Sequence, residues 1–82
     1  MARFSVPDDP YQATKKATRD AGEEARKCVN DAIEAADTAR TTQTGADYDL
    51  FDARAARAFA ACDRWRDWLE SLCERVARER RG

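Results

Sequence analysis

Small and apolar residues recur along the first half of the chain at Thr14, Thr18, Ala21, Ala25, Cys28, Ala32, Ala35 and Ala39, in strict alternation of four and three. That spacing holds all eight on one stripe of an α-helix, the seam of a heptad pattern. The helix begins where Asp8 or Asp9 can accept backbone N–H bonds as an N-cap and Pro10 suits the first helical position, and it runs to about residue 41. Gly22 is its weak point, about 1 kcal/mol worse than Ala, and could split it in two. The pattern then stops in a polar turn over residues 42–47, with Gly45 as the residue that leaves the helix and Asp47 as the next N-cap. A second run, Tyr48, Phe51, Ala55, Ala58, Cys62, Trp65, Leu69, Leu72 and Val76, again spaced by three and four, predicts a helix over about 48–80.

Two helices of about 30 residues joined by so short a connection are forced antiparallel. The expected fold is therefore all-α: an N-terminal arm over 1–9, then a single helical domain over 10–82 folded as a hairpin of two long helices. A turn centred on Gly45 sets residue i level with about residue 90 minus i. Ala39 then faces Phe51, Ala35 faces Ala55, Ala32 faces Ala58, Cys28 faces Cys62, Ala25 faces Trp65, Ala21 faces Leu69 and Thr18 faces Leu72, small against large at most levels.

The second helix carries more apolar surface than one partner can cover. Ala61, Trp65, Trp68 and Leu72 form one stripe, and Phe59, Cys62, Leu69, Cys73 and Val76 a second beside it. On the first helix Val29, Ile33 and Ala36 point away from the alanine seam. An apolar patch of this size marks an interface. Self-association, with two hairpins closing into a small bundle, is the expected use of Val29, Ile33 and Ala36, unless the arm covers them with Phe4 and Val6. For a different protein partner the candidate contacts are Phe59 and Trp68 as anchors, with Arg64, Arg66 and the partly exposed thiol of Cys73 beside them.

Composition agrees with helix: 17 alanines and only three Gly and two Pro among 82 residues. The absence of His removes the usual neutral-pH general base and the Ser-His, Cys-His and common zinc arrangements. Cys28, Cys62 and Cys73 have no paired spacing and fit free thiols of a reducing compartment, with Cys28 and Cys62 as buried apolar side chains close enough to touch and Cys73 partly exposed. Asp47, Asp49 and Asp52 favour a helix start, and the acids of the first helix form a solvated face in which Glu23–Lys27, like Glu74–Arg78 on the second helix, makes a simple i,i+4 pair. No cofactor or metal is expected. With 15 basic against 16 acidic residues the net charge is −1, which gives no general attraction to nucleic acid or anionic lipid. No leader or membrane-spanning run is visible, so a cytoplasmic protein is expected. Twelve Arg against three Lys suggests a GC-rich coding source, bacterial or viral.

These readings point to a small non-enzymatic helical interaction module, an adaptor or inhibitor that covers a surface of a larger protein. An inhibitor of a host defence complex carried by a phage or mobile element, of the anti-CRISPR kind, fits on size and class alone. The alternative is a small dimeric nucleic-acid-binding regulator using Arg75, Arg78, Arg80 and Arg81, whose simpler role is to complement the helix dipole. Small bundle-forming RNA-binding regulators share the architecture, an analogy of shape that carries over no residue.

Overall fold

The computed structural model describes residues 9–81, so the expected arm, including Phe4 and Val6, lies outside the described residues except for Asp9. Helix α1 spans Pro10–Thr42 and helix α2 spans Gly45–Arg81. They pack against each other as an antiparallel hairpin, and the described residues contain no strand. Asp9 is the N-cap of α1: its Oδ1 accepts the N–H of Tyr11 at 3.0 Å and its carbonyl accepts that of Ala13 at 3.1 Å, with Pro10 at the first helical position. The helix passes through Gly22 unbroken, because α2 supports it there with the Trp65 indole.

The turn is tighter than the pattern suggested and sits earlier. Only Gln43 and Thr44 separate the helices, in place of residues 42–47. Gln43 takes the left-handed conformation at φ 57° and ψ 33°, and its N–H donates to the Ala39 carbonyl at 2.8 Å to close the last turn of α1. Gly45, the residue expected to leave the helix, is instead the first of α2. The N-cap is Thr44 rather than Asp47, since Thr44 Oγ1 accepts the Asp47 N–H at 3.2 Å. The Asp47 carboxylate folds back to accept the Thr42 hydroxyl, tying the two helix ends together.

Moving the turn moves the pairing. Thr18 reaches the Trp68 carbonyl and Gly22 meets Trp65, so the numbers of facing residues add to 86 or 87 rather than 90, close to one helical turn of slip. Phe59 therefore stands level with Cys28, and Cys62 lies almost a turn further along. Both thiols still border one cluster of small residues, Ala25, Cys28, Ala32, Ala58 and Ala61, and all three cysteines are free.

All eight seam residues of α1 are buried. On α2 only Ala58 and Ala61 are, and Tyr48, Trp65, Leu69 and Val76, expected in the seam, keep 39–48% of their surface exposed. The cause is the alanine lining of α1. It lets the backbones approach closely, which leaves room between them for methyl groups and pushes bulky side chains to the flanks. Among the described residues no large side chain is fully buried. The molecule measures 61 × 29 × 13 Å, a slab about one helix diameter thick.

Candidate functional site

Large side chains displaced from the seam collect unevenly on the two broad faces of this slab. On one face, Val29, Ala32, Ile33 and Ala36 of α1 and Phe51, Ala55, Ala58, Phe59 and Cys62 of α2 line a groove of about 260 Å³ with no polar surface. Its floor is alanine from both helices, so it is a hollow. Its rim is Ile33 at 54% exposure and Phe59 at 71%, the most exposed large apolar side chain described. The hollow continues toward the N-terminal half of α1 past Gly22, Ala25, Arg26 and Asn30 to Trp65. Farther along α2, Leu72, Cys73, Val76, Ala77 and Arg80 line another shallow apolar depression. The opposite face is polar near the turn, where Glu34, Thr38, Asp47 and Arg54 surround Leu50 and Ala35.

This arrangement joins part of one set of residues to another that the sequence pattern kept apart, and divides the first. Val29, Ile33 and Ala36, expected to serve self-association, and Phe59, expected to anchor a partner, belong to the same groove. Phe59 and Trp68 are nine residues apart, two and a half turns, and so lie on opposite flanks of α2. Arg66, one heptad on from Phe59, stays on the groove side, where its Nε lies 3.6 Å from Glu70. Cys73, two heptads on from Phe59, is exposed on that side as well. Arg64, one turn before Trp68, shares the other flank. There the Trp68 backbone carbonyl lies 3.2 Å from Thr18 Oγ1, a hydroxyl that also donates to the Thr14 carbonyl at 2.7 Å. The five expected partner contacts thus fall into two groups that a flat surface cannot touch together.

The C-terminal arginines do not form a stripe. At 100° per residue, Arg75, Arg78, Arg80 and Arg81 are spread around the helix axis. Arg75 is half-buried and the other three are exposed, with Arg81 Nε donating to the Ala77 carbonyl at 3.4 Å as a cap on the last turn. The ion pairs that form are Lys16–Asp20 at 2.9 Å and Arg66–Glu70, and among the described residues neither Glu23–Lys27 nor Glu74–Arg78 does. Asp20 holds the Lys16 ammonium above its usual pKa through a hydrogen bond on an exposed face. Burial pushes the Cys28 thiol above its usual pKa, helped by the Glu24 carboxylate 3.5 Å from its sulfur and partly opposed by Arg57. That thiol is less nucleophilic than an ordinary cysteine.

The groove floor and the seat of Trp65 on Gly22 were missed by sequence reasoning. Their signal was present in the alanines at 32, 36, 55 and 58, but with the turn at Gln43–Thr44 it is Ala32 and Ala55 that stand level, where the later turn set Ala32 against Ala58. Among the described residues no helix is long and apolar enough to cross a membrane. No family model, curated protein or solved structure matches the chain.

Proposed function

We propose that this chain is a non-enzymatic helical protein–protein interaction module, an adaptor or inhibitor that covers a surface of a larger protein with the face centred on Phe59. One observation supports this above the others. The groove is lined only by apolar atoms and rimmed by Phe59 and Ile33, while the hairpin's own seam needs nothing larger than Cys and Thr. Aromatic side chains beside small hollows are the usual anchors of protein interfaces. A phage- or mobile-element-encoded inhibitor of a host defence complex, acting in the host cytoplasm, is one form of this reading.

The test is affinity capture on immobilised wild-type chain, Phe59→Ala and Trp68→Ala, with circular dichroism to verify equal helix content. Phe59→Ala should weaken retention of the captured protein by about 2 kcal/mol or more. Trp68→Ala, on the opposite flank, should leave it within about 0.5 kcal/mol. Capture indifferent to Phe59 removes the groove from the binding surface. Capture of nucleic acid instead, falling steeply with salt and lost on joint replacement of Arg78, Arg80 and Arg81 by Ala, would put the regulator reading in its place.

A further inference from the structure

We infer that the first occupant of the Phe59 groove is a second copy of this chain, stacked face to face through a twofold axis so that two hairpins complete a four-helix bundle. The inference rests on the reading of the groove as an interface and names its partner. Architecture supplies the first argument. Domains are built from at least two packed layers around a core, and a slab 13 Å thick is one layer whose large apolar side chains meet nothing on their outer side among the described residues. The missing layer must match an elongated strip, and a hairpin of the same length does so.

Area supplies the second. From Phe51 to Val76 this face runs about 38 Å at 1.5 Å per residue and is two helix diameters, about 20 Å, wide, with the apolar flank of α2 along one side and, beyond the groove, Lys15, Arg19 and Arg26 of α1 along the other. That footprint is roughly 750 Å², close to the roughly 800 Å² per partner of a standard stable interface. Shape is the third. An isologous contact requires one patch to carry both knob and hole, since each copy offers the same surface to the other. Here the knobs, Phe59 and Ile33, stand beside the hollow floored by Ala32, Ala36, Ala55 and Ala58, so a single twofold operation can seat each Phe59 over the partner's alanines. The net charge of −1 leaves little overall repulsion between copies. Stacking on this face also places Trp68 and Arg64 on the outside of the bundle.

The experiment is sedimentation equilibrium of the full chain under reducing conditions across a dilution series, on wild type, Phe59→Asp, Ile33→Asp and Trp68→Ala. Wild type and Trp68→Ala should give twice the chain mass of 9.3 kDa, and both aspartate variants should dissociate at least about a hundredfold more readily. Phe59 and Ile33 lie outside the seam, so each variant should keep the helical circular dichroism of the hairpin. A wild-type monomer at every concentration overturns the inference, whether the groove is then covered by the N-terminal segment or by another protein. In that case capture by wild type but not by Phe59→Ala would still uphold the groove as an interface. A dimer indifferent to both aspartates overturns the inference as well, and if capture is equally indifferent the reading of the groove fails with it.

Discussion

A methyl group at position 22 would lie 2.9 Å from Trp65 Nε1 and 3.0 Å from its Cε2, closer than carbon atoms settle. Gly22 is therefore a notch that receives the indole, and the helix tolerates its poor propensity because the indole lies across it. The two residues should be strongly coupled. In a Trp65→Ala background, Gly22→Ala should stabilise the chain by about 1 kcal/mol, the ordinary propensity gain. In the wild-type background that gain should vanish as the indole is displaced, with a shift in tryptophan emission. Urea unfolding of the four members of this double-mutant cycle measures the difference. An equal gain in both backgrounds would mean that the indole does not sit on Gly22. This also explains why Trp65, which the heptad spacing placed in the seam, is 39% exposed: it packs beside the seam, over the backbone of α1.

At the scale of the elements, the turn decides the register, and its chemistry is easily misread. Gly45 is the conventional residue for leaving a helix, yet it is helical and a Cβ there would meet nothing within 4 Å. Gln43 bears the left-handed conformation, which costs an L-residue roughly 1–2 kcal/mol. Gln43→Gly should therefore raise stability by about 1 kcal/mol, and Gly45→Ala should be neutral or mildly stabilising. In thermal melts the first change should raise Tm by about 4–8 °C. A loss of that size for Gly45→Ala would put the left-handed residue back at position 45. The seam of α1 was legible to the residue, because eight small side chains at heptad spacing admit one helical face. The seam of α2 was legible only in part. Periodicity marks every apolar residue near the core stripe, and it is the close approach of the alanine-lined partner that selects Ala58 and Ala61 over Trp65 and Leu69. The groove was legible as scattered apolar residues, but which of them stand level, Ala32 with Ala55 and Cys28 with Phe59, depended on a register that a turn placed two residues too late shifted by about one helical turn.

At the scale of the whole molecule, the hairpin has a radius of gyration of 18.6 Å, against about 12 Å for a compact domain of this length. X-ray scattering distinguishes the ways such a slab can associate. Face-to-face stacking adds one helix layer at about 8–10 Å, so the longest dimension should stay near 61 Å while the thickness grows. A longest dimension near twice that value would mean end-to-end association and would sink the stacked arrangement. The alanine-lined seam has a last consequence, for how the protein can be mapped. Truncation scanning finds a core by removing side chains, but the buried positions here are already Ala, apart from Cys28, Thr14 and Thr18. An alanine scan cannot find that seam, and the changes that destabilise the hairpin should come from its flanks and ends, at Trp65 on Gly22, at Thr18 bonded to the Trp68 carbonyl, and at the caps Asp9 and Thr44.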